Sequence, residues 1–326
     1  MTDAEGFHLK RRTGSGFLLW AMLVLTLAGC ATQPIVFKDV VPPEAAKLRT
    51  VQTGHPVVAL VLGGGASRGF AHVGVIKALE QQGVKPDIVV GTSAGSFVGA
   101  LYAGGYDAVA LEVIALGMEQ AQLRDVTFPD RGFVKGELMQ DFINQYLDNR
   151  SIENLPRRYA AVATDLQSGA MMVFNRGNTG MAVRASSSIP GIFQPVNIAG
   201  REYVDGGVLS PVPVRVARQM KPDIIIAVDV SRKPDSAVEI RDTLDVLAQT
   251  LSIMGKESSQ VEMREADVVI RPDVSEIGTI DFAARKLAIE MGEKAAQQSL
   301  PRILALLREK RQRKTENTNQ AKISPQ

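Results

Sequence analysis

One cysteine, three histidines and one tryptophan stand among 326 residues. A lone thiol excludes an intrachain disulfide framework and any zinc site built on several thiolates. Three histidines narrow the catalytic mechanisms that can be written, because imidazole is the commonest general base. An excess of one charge is missing too. Lys and Arg total 37 against 35 Asp and Glu, a net charge of +2, which excludes nucleic-acid affinity driven by counterion release. Hydrophobic residues make up 45 % and charged residues 22 %, so the chain is not disordered or low-complexity for most of its length. It is long enough for one large α/β unit with a sizeable core.

A comfortable bilayer span takes ~20 apolar residues, and the N-terminal run Phe17–Leu25 falls short of it. Lys10, Arg11 and Arg12 precede this run and Leu27-Ala28-Gly29-Cys30 closes it, the layout of a secretory signal. The last four residues resemble a bacterial lipobox. That resemblance implies lipidation of Cys30 and removal of residues 1–29, and Ala31 in place of aspartate favours the outer membrane, facing the periplasm. A buried free cysteine after a short N-terminal anchor is the plainer alternative.

Residues 30–55 mix Pro, Lys, Glu and Thr without period and read as a spacer, followed by a domain over 56–310. Val57–Leu62 is a buried strand, then come a glycine cluster and a helix from about Phe70 to Gln82. Asp87–Val90 is a second strand that turns through glycine into a helix over Ala94–Ala103. Further helices are expected near 107–121, 135–148, 244–256 and 283–310, and strands at 159–164, 171–174, 224–230 and 267–270. Strands alternating with helices imply a mostly parallel sheet covered on both faces. Residues 311–326 lack an apolar period and are rich in Lys and Arg. They read as a frayed, solvated tail, or as a contact for anionic lipid.

Three motifs carry chemistry. Gly91-Thr92-Ser93-Ala94-Gly95 fits G-x-S-x-G, a weak pattern alone, but it sits where a strand meets a helix, as a nucleophile elbow requires. The helix start then aims its dipole and free N–H groups at negative charge forming there. Gly63-Gly64-Gly65-Ala66-Ser67-Arg68-Gly69 also joins strand to helix, and its bare N–H groups suit an oxyanion or a phosphate. It lacks the Gly-Lys-Ser/Thr ending of a P-loop, and its glycine spacing departs from the dinucleotide fingerprint, which remains the runner-up. Arg68 orients a substrate anion or forms an ion pair at the loop's base.

No histidine follows Ser93, so the order Ser…Asp…His cannot be written. His8 leaves with the signal, His55 lies in the spacer and His72 follows the glycine loop. Val204-Asp205-Gly206-Gly207-Val208 offers a carboxylate in a tight turn, suited to a Ser–Asp pair but also to an ordinary hairpin.

Together with Ala185-Ser186-Ser187-Ser188-Ile189-Pro190-Gly191-Ile192-Phe193, these features resemble the patatin-like phospholipases over about residues 57–230. Counted back from Arg68-Gly69, the family's third glycine is Ala66 here. The resemblance implies a three-layer α/β fold and a Ser93–Asp205 dyad acting on phospholipid or other lipid esters. It implies an oxyanion hole from the N–H groups of Gly63, Gly64, Gly65 and Ala94, and neither cofactor nor metal. Two alternatives stay open: a non-catalytic lipid- or protein-binding lipoprotein on the same fold, or a thioesterase or peptidase using the same dyad.

Overall fold

The computed structural model describes residues 41–323 apart from 52, 124, 128–130 and 233–242. The expected signal, Cys30 and Ala31 lie outside the described residues. Eight strands form one sheet: β1 Val58–Leu62, β2 Ile88–Thr92, β3 Arg158–Asp165, β4 Met171–Phe174, β5 Val196–Ile198, β6 Arg201–Asp205, β7 Ile224–Val228 and β8 Val268–Ile270. Their order is β5-β6-β3-β2-β1-β7-β8, with β4 also paired to β3. The run β3-β2-β1-β7-β8 is parallel, whereas β4, β5 and β6 join antiparallel.

Alternation in the strands divides the core in two. Val58, Leu60 and Leu62 face one layer; Val57, Ala59 and Val61 face the other. The first layer holds helices α1 Ala71–Gln81, α2 Ala94–Ala103, α3 Ala108–Gly117, α4 Glu137–Tyr146, α5 Thr179–Ser186 and α8 Arg285–Ile323. The second holds α6 Val214–Gln219 and Met263 at the end of α7 Thr243–Met263, with Leu48 and Val51 packed alongside. Helices on both faces of a mostly parallel sheet make three layers. Among the described residues no helix is long and apolar enough to cross a membrane.

Two local expectations need correction. The segment after residue 310 is not frayed, because α8 continues through it to Ile323. Exposed i,i+4 contacts hold it, Arg313 to Glu309 at 2.8 Å and Gln312 to Glu316 at 3.1 Å. Lys314 also ties it back to Asp223 at 2.9 Å and donates to the His55 carbonyl at 2.8 Å. Nor does Asp205 occupy a hairpin turn. The hairpin lies upstream, where Ala199 and Gly200 join β5 to β6, both with positive φ (52° and 82°). Asp205 ends β6 and caps a short 3-10 turn over Gly206–Val208.

Candidate active site

Strand β2 delivers Ser93 into a sharp turn that only small neighbours permit. A Cβ on Gly91 would lie 2.5 Å from the Gly95 carbonyl oxygen, and one on Gly95 would lie 2.0 Å from that of Leu62. Ser93 itself has φ 55° and ψ −126°, a conformation that costs a non-glycine residue roughly 1–3 kcal/mol. Polar contacts hold it there. The Ser93 N–H donates to Ser186 Oγ at 3.0 Å, and Ser186 Oγ donates to the Val162 carbonyl at 2.6 Å. Ser96 Oγ donates to the Ser93 carbonyl at 2.7 Å, and Thr92 Oγ1 to that of Ser210 at 2.9 Å.

Asp205 reaches the elbow through β3. One edge of β3 is taken by β4 over Ala161–Thr164, so β2 and β6 share the other edge end to end. Thr92 pairs with Val162 and Asp205 with the next residue, Ala163. The serine after Thr92 therefore meets the aspartate that ends β6. Gly206 allows this close seating, since a Cβ there would lie 2.2 Å from the Val162 carbonyl oxygen. The Asp205 N–H donates to the Ser188 carbonyl at 2.9 Å, fixing the strand end. Burial pushes the Asp205 carboxyl up to about 6, partly offset by hydrogen bonds from Ser93 and from the Gly207 N–H, the latter at 2.7 Å.

The glycine loop needs a correction. Gly63 N–H donates to the Val228 carbonyl at 3.0 Å and Gly64 N–H to the Pro211 carbonyl at 2.9 Å. Neither donor is left for an oxyanion, because both serve to bind the loop to its neighbours. Gly64 instead lets the loop lie against the serine, where an added Cβ would be 3.2 Å from Ser93 Cβ. The N–H groups of Gly65, Ala66, Ala94 and Gly95 have no acceptor among the described residues. Ala66 and Ala94 both line the pocket that holds Ser93.

Arg68 does not orient a substrate anion. Its guanidinium is buried and donates to the Val230 carbonyl at 3.1 Å and the Ile277 carbonyl at 3.4 Å. Burial, with Arg232 nearby, lowers it to about 10, so it braces the loop from behind. His72 is fully buried, its Nε2 at 2.8 Å from the Gly63 carbonyl oxygen, and burial lowers it to about 4. His55 sits at the other end of the sheet, its Nε2 3.6 Å from Asp87 Oδ1. Neither ring meets Ser93.

From Ser93 an apolar pocket of about 170 Å³ runs between Phe97, Leu101, Met139, Ile192 and Phe193, with Ile280 among its lining residues. Ser187 also lines it, its Oγ buried without a hydrogen-bond partner among the described residues. The triple serine thus divides its work: Ser186 holds the elbow, Ser188 holds β6, and Ser187 faces the pocket. The sequence does not separate the three roles of this triplet. Its signal was three consecutive small hydroxyls before Ile189-Pro190. Among the described residues no group of three His, Cys, Asp or Glu side chains is placed to hold a metal ion.

The family model of patatin-like phospholipase matches residues 60–218, a stretch that contains the glycine loop, the elbow, the triple serine and Asp205. Residues 60–218 belong to the patatin-like phospholipase family. An uncharacterised NTE family protein of Mycobacterium tuberculosis is 37 % identical over 191 residues, covering 58 % of this chain and 53 % of its own length. Mouse patatin-like phospholipase domain-containing protein 6 is 36 % identical over 201 residues, 59 % of this chain and 15 % of that protein. The chain thus spans about half the mycobacterial relative and a small part of the mouse one. Among solved structures, VipD from Legionella pneumophila superposes with a TM-score of 0.52 at 15 % identity, covering 85 % of this chain and 72 % of VipD. At that identity the likeness is one of fold, a mixed α/β architecture with a central sheet between helices.

Proposed function

We propose that this patatin-like chain hydrolyses the acyl esters of phospholipids or lysophospholipids, with Ser93 as nucleophile and Asp205 as general base. The observation that carries the reading is the meeting of Ser93 and Asp205 on one edge of β3, at an apolar pocket. The acyl chain occupies that pocket and brings its ester carbonyl to Ser93 Oγ. Oγ attacks the carbonyl carbon while Asp205 takes the hydroxyl proton. Free N–H groups of Gly65, Ala66 and Ala94 stabilise the oxyanion, helped by the dipole of α2. The intermediate collapses, and the leaving alkoxide receives the proton from Asp205. Water then attacks the acyl-enzyme as Asp205 takes its proton, and the second intermediate expels Ser93 Oγ, which takes that proton back as the fatty acid leaves. A carboxyl near 6 is a better base than one near the usual ~3.9, while remaining ionised at neutral pH. Acylation of Cys30 tethers the protein to the outer membrane of a bacterial envelope, facing the periplasm.

The test is hydrolysis of defined phospholipids, lysophospholipids and short esters by wild type, Ser93→Ala, Asp205→Asn and the double variant. Each single variant loses at least ~10²-fold, and the double variant is hardly worse, because the two groups act as one unit. Unchanged turnover by Ser93→Ala ends the enzyme reading; additive losses end the dyad.

A further inference from the structure

Lys47, Arg49, Lys85, Arg158 and Arg311 ring a groove at the end of the sheet opposite Ser93. It crosses the start of three strands, for Val58 of β1, Asp87 just before β2 and Tyr159 of β3 all line it. All five cations are exposed, and none has a carboxylate partner among the described residues. The acidic groups of the groove are already engaged. Asp87 Oδ2 accepts the Val58 N–H at 2.9 Å, and its Oδ1 lies 3.6 Å from His55. Glu153 accepts the Gly177 N–H at 2.8 Å and lies 3.6 Å from Arg176 Nε.

A chain of net charge +2 has thus gathered five unpaired cations from four separate segments into one concavity. Like charges so placed repel one another unless an anion occupies the groove between them. Three of the five are arginines, whose planar fork suits phosphate oxygens. The positive surface also extends past the groove. Further along α8, Lys310 adds a cation, whereas Arg313 is paired with Glu309 at 2.8 Å and Lys314, which also reaches the His55 carbonyl, is paired with Asp223 at 2.9 Å. A small soluble phosphate meets only the concavity, whereas a bilayer surface meets both. Val41, the first described residue, lies at this end too, its carbonyl accepting from Asn178.

We propose that the groove binds the phosphate of an anionic phospholipid headgroup, seating this end of the molecule on a negatively charged bilayer. The site is independent of the chemistry proposed for Ser93, because the length of β2, five residues or roughly 16 Å, separates them.

The experiment measures partitioning of the full chain, carrying Cys30→Ser so that acylation does not contribute, onto ether-linked vesicles that offer no ester to Ser93. Vesicles are either phosphatidylcholine alone or phosphatidylcholine with one part in three of phosphatidylglycerol. One basic residue at an anionic surface contributes roughly fivefold. Arg49→Gln, Arg158→Gln and Arg311→Gln together should lower the anionic-to-neutral partition ratio about a hundredfold, and all three are exposed, so the fold should survive. Hydrolysis of a soluble uncharged ester should be unchanged by the triple substitution. An unaltered ratio overturns the proposal. So does binding of inositol hexakisphosphate that needs the three arginines while the vesicle ratio does not, which would make the ligand a soluble phosphate. If the parent hydrolyses no ester at all, the function proposed for Ser93 fails and the partitioning result still stands.

Discussion

Asp205 is ionised only at a cost to the fold. Its donors are the Ser93 hydroxyl and the Gly207 N–H, and no cation contributes among the described residues. In the unfolded chain an aspartate titrates near ~3.9, whereas here it titrates at about 6. Between those values the folded state holds the proton and the unfolded state has lost it, so stability falls as pH rises towards 6 and is level above. The loss is roughly 3 kcal/mol. Asp205→Asn should therefore melt higher than wild type at pH 7, with the advantage gone at pH 4. Activity should move the other way, since the base must be charged: kcat/KM falls about tenfold per pH unit below about 6. Melting curves and a pH–rate profile check both halves, and a profile flat down to pH 4 removes Asp205 as the base. At this scale Ser93 and Asp205 were legible because their neighbouring glycines mark backbone that must approach other backbone closely. The loss of Gly63 and Gly64 as donors was not, because the sequence does not show which N–H groups a neighbouring strand and loop consume. Arg68 was unreadable for the same reason: its partners are the carbonyls of Val230 and Ile277, far along the chain.

Continuous apolar runs read well whatever their length, the four-residue β4 and the three-residue β8 included, and segments of mixed character did not. β1, β2 and α2 are continuous apolar or small-residue segments bounded by glycine, and α2 spans Ala94–Ala103 as expected. β5, β6 and α6 mix polar or charged residues with apolar ones over three to six positions, and their shape comes from pairing on β3 or packing under the sheet. α5 had a signal that went unread, Asn178 at its start, whose side chain accepts the Met181 N–H at 2.7 Å. The crossing of α1 and α8 is likewise invisible in sequence yet specific in space. A Cβ on Gly74 would lie 1.9 Å from the Ile289 carbonyl oxygen, and one on Gly292 would lie 1.9 Å from that of Ala71. Backbone meets backbone there, so no side-chain rotamer relieves the contact. Gly74→Val should destabilise by ~3 kcal/mol or more, seen as a lower denaturation midpoint. Because α1 continues directly from the loop turn Ala66–Phe70, soluble-ester turnover should fall as well. A midpoint within error of wild type would show that the two helices part freely.

Across the whole molecule, the sheet separates two proposed lipid contacts of different physical kinds. At one end lies the apolar pocket proposed for an acyl chain; at the other lies the cationic groove proposed for a headgroup. The proposed anchor at Cys30 is a third kind, and it is distinguishable from the groove by its response to salt. Ionic contacts at a bilayer surface weaken as the Debye length shrinks, to about 3 Å in 1 M salt. Acyl chains do not respond this way: each buried methylene contributes ~0.8 kcal/mol regardless of ionic strength, and two or more chains hold a protein stably where one does not. Wild type should therefore stay with the membrane fraction through a 1 M salt wash and take up labelled palmitate. Cys30→Ser should lose the label and be released by the same wash in proportion as the groove, rather than the apolar run Phe17–Leu25, retains it. Combining Cys30→Ser with the three arginine substitutions separates those contributions, since the apolar run is common to both. Wild type found in the soluble fraction at low salt would remove the anchor.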